Sequence, residues 1–285
     1  MIAGNIDVWD IGTFDAELMA LLRAEADLVR KHADTDQRIF LEYDYAPTGR
    51  PDRIRPSNPW APRFQKFKEA IGRAMASRTI RAWHYTRLTD AEVQTMRQAG
   101  IHLSTPETLC ARIDALVSTG ELTKEIAEAT YEKSPFLGGQ LDIRRDRFWM
   151  TSHPIAVADS VVDRLLEYWG GEVASFWNED PEVLKALGAI GSGRVIEIAV
   201  PLACAAKFDD YAAGTAVVAS YGRSLDCVTS KQAFDLYTMT PLPPSCVLAI
   251  HSEIDPQYGR IGRDFPPGFV NVDLGYWKEL TGEED

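Results

Sequence analysis

The segment Ile80-Arg81-Ala82-Trp83-His84-Tyr85-Thr86-Arg87 places a histidine, two hydroxyl side chains and an arginine at the end of a short apolar run. Imidazole and hydroxyl groups exchange hydrogen bonds with a ligand, and a guanidinium binds phosphate through two parallel N–H donors. The pattern therefore indicates a strand whose end forms a binding site. A lone histidine in an apolar strand is also typical of a buried core residue, so the rest of the chain must decide between the two interpretations.

The residues that follow predict the element that positions this strand end. Alternating β-branched and aromatic residues predict the strand and place His84 among apolar neighbours. Thr89 is expected to cap a helix over residues 90–99, Glu92 to complete a capping box, and Gly100 to end the helix. His84 is thus expected near the end of a strand, with a helix directly behind it.

Helical patterns dominate the first half of the chain and strand patterns the second. The expected helices are Phe14–Lys31, Ala61–Ser77, Asp90–Ala99, Pro106–Ser118, Thr123–Glu132 and Ile155–Trp169. The strands expected after the His84 segment are Arg147–Thr151, Arg194–Val200, Thr215–Tyr221, Ala233–Thr240 and Cys246–Ser252. The Pro- and Arg-containing connector from Arg50 to Pro62 is expected to be irregular.

Composition bounds the class of protein. The 285 residues are 45% hydrophobic and carry a net charge of -12, which disfavours long nucleic acids as partners. No apolar run approaches the roughly 20 residues of a membrane span, and the first residues lack the pattern of a signal peptide, so we expect a cytoplasmic protein with no membrane partner. The four cysteines show no C-x-x-C spacing, and reduced thiols are expected. A local basic cluster at Ile143-Arg144-Arg145-Asp146-Arg147 is compatible with binding a nucleotide.

Several catalytic and nucleotide-binding motifs do not occur in the sequence. It has no G-x-G-x-x-G after a strand and no G-x-x-x-x-G-K, which disfavours Rossmann and P-loop nucleotide binding. It also has no G-x-S-x-G elbow and no H-E-x-x-H. Serine and zinc hydrolases are therefore disfavoured, and no metal is expected.

A series of local patterns, in order along the chain, resembles the ADP-ribosyltransferases of the histidine-tyrosine-glutamate branch. This branch includes diphtheria-like toxins and the poly-ADP-ribosylating enzymes. Trp83-His84-Tyr85-Thr86 resembles their first catalytic strand, and Arg147-Phe148-Trp149-Met150-Thr151-Ser152 their second. Val195–Pro201 is similar to their central strand. Asp235–Met239 and the proline-rich turn before Cys246–Ile250 resemble their late and last strands. The resemblance covers roughly residues 80–252.

The resemblance implies a set of NAD-binding residues. His84 would bind the adenosine ribose, Trp149 and Tyr168 would enclose the nicotinamide ring, and Thr86, Thr151 or Ser152 would bind its amide. Arg87 or Arg147 would meet the pyrophosphate. With Tyr85, the implied NAD-binding set is His84, Tyr85, Thr86, Arg87, Trp149, Thr151 and Tyr168.

The catalytic glutamate of that family has three candidate counterparts. Glu172 follows two glycines that permit a close backbone approach to a ligand. Asp235 stands where the late strand begins, with Gln232 nearby, and Glu197 lies within the central strand. We rank Glu172 first, Asp235 second and Glu197 third, so the expected catalytic residues are His84, Glu172 and Asp235.

The expected fold is α+β, with an ADP-ribosyltransferase-like split mixed β-sheet. Residues 1–78 would form a helical extension, and residues 79–285 a catalytic domain with a helical insertion at 89–133. The expected function is mono-ADP-ribosylation of a protein or other macromolecule with NAD as substrate, of the toxin or phage-conflict kind. The alternative is a noncatalytic binding or inhibitory module that uses Arg50–Arg63 as its partner surface; the lack of an acid near His84 would favour it.

Overall fold

The computed structural model describes residues 4–44, 54–206, 208–229 and 233–263. Two compact units are formed, the first by the described parts of 1–80 and 207–234, the second by those of 81–206 and 235–264. The expected division at residue 78 thus lies close to the end of the first segment, but residues 207–234 join the N-terminal unit. Gln232 and the first part of the Arg50–Pro62 connector lie outside the described residues, and residues 54–60 form neither helix nor strand.

About 50% of the described residues are helical. The helices are α1 (Ala16–Ala24), α2 (Ala26–Ile39), α3 (Ala61–Met75), α4 (Asp90–Ala99), α5 (Pro106–Thr119), α6 (Lys124–Glu132), α7 (Leu141–Arg144), α8 (Asp163–Glu167), α9 (Pro181–Gly188) and α10 (Asp209–Arg223). The strands are β1 (Thr79–Leu88), β2 (Phe148–Thr151), β3 (Ser192–Pro201), β4 (Asp235–Thr238) and β5 (Val247–Ser252).

The first unit contains α1, α2, α3 and α10. The helix expected over Phe14–Lys31 is two helices that meet at Glu25. Small residues let α3 and α10 approach closely, since a Cβ on Gly214 would lie 2.5 Å from the backbone nitrogen of Gly72. The strand expected over Thr215–Tyr221 is wrong, because this segment is part of α10. Burial against α3 outweighs the β propensity of its threonine and valines.

The second unit contains a five-stranded antiparallel sheet with the order β4-β2-β1-β3-β5. Pairing of β2 with β4 runs from Phe148 opposite Thr238 to Thr151 opposite Asp235. The chain is therefore α+β, as expected, but the sheet is antiparallel rather than mixed. Only β1 and β2 are neighbours both in the chain and in the sheet, and the other neighbouring pairs are connected through intervening strands.

The helical insertion between β1 and β2 begins as the sequence predicts. Thr89 accepts a hydrogen bond from the backbone of Glu92, and the Glu92 carboxylate accepts one from the backbone of Thr89 at 2.9 Å. Thr105 and Thr123 cap α5 and α6 in the same way through their side chains. These local caps fix where the three helices start, and so they orient the side chains of α4 and α5.

The helix expected over Ile155–Trp169 is wrong, because only α8 (Asp163–Glu167) forms there. The Tyr85 hydroxyl donates a hydrogen bond to the Ile155 carbonyl at 2.9 Å and accepts one from the Ile155 N–H. Asp159 further binds the backbone of Val161. These bonds commit backbone groups that a continuous helix would need for its own ladder.

A hydrophobic cluster packs the insertion against the segment after α8. Trp169 is fully buried in this cluster, together with Leu109 and Ile113 of α5 and Leu187 of α9. Burying a large apolar side chain contributes about 1.5–3 kcal/mol per side chain to the free energy of folding. The cluster therefore fixes the insertion and the Trp169 segment relative to each other within the second unit.

Candidate functional site

A cavity of about 770 Å³ lies in the second unit, among β1, β2, the insertion helices α4 and α5, and the turn that follows Trp169. Its volume falls within the range of about 300–1,000 Å³ that is typical of small-molecule sites. Its charged wall contains two arginines and four carboxylates, namely Arg112, Arg144, Glu92, Glu121, Glu172 and Asp235.

The cavity lies where β1 and β2 come together. It is lined by consecutive residues of both strands, which are Trp83, His84, Tyr85 and Thr86 in β1 and Phe148, Trp149, Met150 and Thr151 in β2. Successive strand residues point to opposite faces, so a cavity on one face would be lined by alternate residues only. The cavity therefore reaches beyond one face of the sheet, close to the point where Trp83 pairs with Thr151.

His84 is held by the neighbouring strand. Its Nδ1 lies 2.8 Å from the Trp149 carbonyl oxygen, and its ring lies 4.3 Å from the ring of Phe148. Burial lowers the pKa of His84 to about 4, with a smaller contribution from the charge of Arg112 and opposed by the bond to Trp149. The imidazole is thus neutral at pH 7, and because a carbonyl only accepts, the proton is on Nδ1 and Nε2 is a hydrogen-bond acceptor.

Trp149 forms an aromatic wall of the cavity. Its ring centroid lies 4.5 Å from that of Tyr237 in β4, and the Arg144 guanidinium lies 5.5 Å from it. The indole N–H donates to the Ile143 carbonyl at 3.3 Å. With its edge and one neighbour fixed, the indole is a rigid surface for a planar ligand group.

A glycine turn brings Glu172 to the cavity. Gly170 and Gly171 have φ values of 77° and 54°, and the Gly170 N–H donates to the Arg87 carbonyl at the end of β1. The carboxylate of Glu172 pairs with Arg144. Burial raises the pKa of Glu172, the charge of Asp235 raises it further, and the Arg144 pair opposes both.

Asp235 enters from the edge strand. It begins β4 directly opposite Thr151, and its side chain is exposed at the cavity. Its charge acts on Glu172, so two carboxylates face the same region. Like charges at a shared site separate the proton affinities of the two groups, an arrangement common where one carboxyl must handle a proton and the other must remain charged.

A second cluster is formed by Glu92 and Arg112, two charged residues of the insertion, together with the ring of Trp169. Glu92 accepts from the Trp169 indole N–H at 2.9 Å and from Arg112 Nε at 2.7 Å, besides the backbone of Thr89. The Arg112 guanidinium lies 4.6 Å from the Trp169 ring centroid. Burial alone would raise the pKa of Glu92, but Arg112 and these hydrogen bonds lower it, so the carboxylate is charged.

The cavity collects most of the residues expected from the sequence. These are His84, Tyr85, Thr86, Trp149, Thr151, Glu172 and Asp235. Tyr85 has its hydroxyl committed to Ile155, and the Thr151 hydroxyl lies 3.1 Å from His153 Nδ1.

Arg87 and Tyr168 are not part of this cavity, and together they line a different one. The Arg87 guanidinium donates to the carbonyls of Ile190, Gly191 and Leu166, which accounts for its place beside the loop before β3. Tyr168 does not line the cavity that Trp149 and Gly171 line, and the expected pairing of Trp149 and Tyr168 around one ligand ring is not present.

Arg147 and Glu197, which were also candidates for the site, do not line this cavity. The Arg147 guanidinium lies over the Tyr237 ring at 4.6 Å. Glu197 accepts from Arg81 at 3.2 Å and lies 2.7 Å from His251 Nε2. Arg81, Glu197 and His251 form a cross-strand cluster outside the cavity.

Sequence reasoning missed Arg112 and located Arg144 only as part of a basic cluster. Arg112 is in the middle of a helix, where an arginine is usually a solvated surface residue. The available signal was its spacing from Leu109 and Ile113, which places Arg112 close to the buried face of α5.

No known protein family, curated protein or solved structure matches this chain. Among the described residues, no helix has both the length and the apolar character needed to cross a membrane. In the same parts of the chain, no three His, Cys, Asp or Glu side chains are grouped so as to hold a metal ion.

Proposed function

We propose that this protein is an NAD-consuming mono-ADP-ribosyltransferase built on an ADP-ribosyltransferase-like scaffold. One observation carries the proposal: a single cavity brings together His84, Trp149, Glu172 and Asp235, which come from three adjacent strands and a glycine turn. The resemblance implies His84 and Trp149 for NAD binding, and Glu172 and Asp235 are two of the three candidates for its catalytic acid. These residues lie far apart in the sequence, between positions 84 and 235, and the fold brings them to one cavity.

His84 suits the binding of a ribose. Its neutral imidazole presents Nε2 as an acceptor, and a ribose hydroxyl is a donor of matching chemistry. The bond from Nδ1 to the Trp149 carbonyl fixes both the tautomer and the ring orientation. His84 would therefore orient the adenosine ribose without taking part in proton transfer.

Trp149 suits the binding of the nicotinamide ring. The indole packs on a flat ring, and nicotinamide carries a positive charge in NAD that an aromatic face stabilises. Thr86 and Thr151 lie in the same wall and offer hydroxyls for the carboxamide. NAD enters this scheme as the substrate, and the reaction needs no metal.

The two carboxylates suit the bond cleavage. The bond between C1′ of the ribose and the nicotinamide nitrogen breaks, and its electron pair leaves with nicotinamide, which becomes neutral. The sugar passes through an oxocarbenium-like state that a nearby carboxylate stabilises. The acceptor then forms a bond to C1′ and loses a proton. The raised pKa of Glu172 suits the group that takes this proton, while Asp235 stabilises the sugar.

The acceptor is proposed to be a protein, as in the toxin or phage-conflict class. The net charge of -12 opposes association with a long nucleic acid and leaves a protein or a smaller molecule as the acceptor. The lack of an acid near His84 would have favoured the noncatalytic alternative, whereas four carboxylates, Glu172 and Asp235 among them, line this cavity. Catalysis is therefore the function that the arrangement supports best.

The test is nicotinamide release from NAD, with and without a cell extract as acceptor source. The variants are His84→Ala, Glu172→Gln and Asp235→Asn, and Glu197→Gln is the matched control because that carboxylate lies outside the cavity. We expect each of the three cavity variants to lower the rate by about 10²–10³-fold, the usual loss when a group that stabilises transition-state charge is removed. The Glu197→Gln control should retain the wild-type rate.

The pattern among the variants assigns the acid. Retention of activity in Glu172→Gln with loss in Asp235→Asn would assign the essential carboxylate to Asp235, and the reverse would assign it to Glu172. If the wild-type protein neither releases nicotinamide nor binds NAD, the transferase proposal is wrong and a binding module is the better description.

A further inference from the structure

We propose that Arg112, on helix α5 of the insertion, binds a phosphate group, and that the cavity therefore recognises nucleoside diphosphates through this residue. The inference rests on the proposed function for the identity of the dinucleotide. It assigns the phosphate contact to the insertion, in which none of the motifs that carry the family resemblance lies.

The hydrogen bonding of Arg112 leaves a donor unused. Its Nε donates to Glu92, whereas Nη2 is buried and has no hydrogen-bond partner among the described residues. A buried N–H group of a charged side chain without an acceptor is costly, and such groups are rare in folded proteins. Arg112 lines the cavity, and its other terminal nitrogen, Nη1, also has no hydrogen-bond partner among the described residues but is not buried, so Nη1 is the donor that a bound ligand can reach.

The guanidinium is held in place before any ligand arrives. Glu92 binds it from one side, and the Trp169 ring packs against it at 4.6 Å. Glu92 is itself fixed by the Trp169 indole and by the backbone of Thr89. An arginine whose plane is fixed in this way loses little side-chain entropy on binding, and its remaining donors match the oxygens of a phosphate.

The position of Arg112 relative to His84 selects the ligand group. The two side chains line the same cavity. In the proposed function His84 binds the adenosine ribose. We therefore assign to Arg112 the phosphate that is attached to that ribose.

Other arginines fit this role less well. The Arg87 guanidinium is committed to three backbone carbonyls and lies outside the cavity. Arg144 lines the cavity but pairs with Glu172 beside Asp235, which is a negatively charged region. Arg112 is therefore the arginine of the cavity wall that is not paired with a proposed catalytic carboxylate.

The experiment compares the binding of ADP and of adenosine by isothermal titration calorimetry. The variants are Arg112→Gln and Arg112→Lys, and Arg97→Gln is the control because Arg97 is an exposed arginine on α4 of the same insertion. We expect Arg112→Gln to weaken ADP binding by about 10- to 100-fold, which corresponds to the loss of one hydrogen bond to a charged group. Adenosine affinity should be unchanged, which also shows that the cavity is intact.

Arg112→Lys keeps the charge but has one nitrogen for both Glu92 and the phosphate, so we expect an intermediate loss of ADP affinity. This variant decides the question if Arg112→Gln does not fold. The inference is wrong if wild-type protein binds ADP no more tightly than adenosine, or if the folded Arg112 variants bind ADP as the wild type does. Failure of the proposed function is distinguishable, because ADP would then bind through Arg112 while no nicotinamide is released from NAD.

Discussion

Gly170→Ala is the substitution for which the structure gives the sharpest expectation. Gly170 has φ 77° and ψ -3°, and a Cβ added to it would lie 2.5 Å from the Cβ of Ala174. Two carbon atoms in contact prefer about 3.5–4.0 Å, so the turn must shift to accept a methyl group. The same turn carries Glu172 into the cavity.

Gly120→Ala separates the steric cost from the backbone cost. Gly120 also has φ 77°, with ψ 13°, but a Cβ there would meet nothing within 4 Å. We expect Gly120→Ala to lower the free energy of unfolding by about 1–2 kcal/mol through the left-handed conformation alone. Gly170→Ala should lose the same amount and a further 1–3 kcal/mol, roughly, from overpacking.

Urea denaturation measures both losses, and both glycines lie in the second unit, so one transition reports on both. Ala174→Gly removes the atom that the new methyl group would strike. The double variant should therefore be less destabilised than the sum of its single variants by about 1–3 kcal/mol. Equal losses in Gly170→Ala and Gly120→Ala, or strict additivity with Ala174→Gly, would refute the steric argument.

Two further predictions concern buried polar contacts. Trp169→Phe removes the indole N–H that donates a hydrogen bond to Glu92 at 2.9 Å, and it should lower the free energy of unfolding, measured in urea, by about 1.5–3 kcal/mol. The control is Trp177→Phe at a half-exposed position, which should change this free energy by less than about 0.5 kcal/mol. Similar values for the two variants would contradict the prediction. The hydrogen bond to Glu197 raises the pKa of His251 above 6.5, so that stabilisation is complete below pH 6.5 and is lost as the pH rises through the raised pKa. The stability advantage of the wild type over Glu197→Gln should thus be smaller at about pH 9 than at about pH 6, and an advantage independent of pH would show that His251 does not contribute through its charge.

Local signals were enough to predict the insertion and the strands of the sheet. The caps at Thr89, Thr105 and Thr123 act within one helical turn, so the residues that specify them are adjacent in sequence. The two segments that were predicted wrongly depend on distant partners. The Tyr85 hydroxyl prevents a helix at Ile155, and contact with Gly72 favours a helix around Gly214.

The candidate site was predictable to the extent that its residues lie at strand ends. Trp149 and Asp235 follow this rule, whereas His84, which was expected near a strand end, lies in the middle of β1; Glu172 was found because two glycines precede it. The spacing of Arg112 from Leu109 and Ile113 places it near the buried face of α5, but only the fold of the insertion brings it to the cavity.

The edge position of β4 has a consequence for the order in which the site is completed during synthesis. Asp235 begins this strand, and 84 residues separate it from Thr151, the residue that it faces in β2. A nascent chain that ends before β4 already contains His84, Trp149 and Glu172, but its sheet has β2 as an open edge. Pairing across so long a separation is slow, because the loop must close before its contacts form. Asp235 is therefore the last of these groups to be placed, and a growing chain has a complete site only after β4 has been made and has paired with β2.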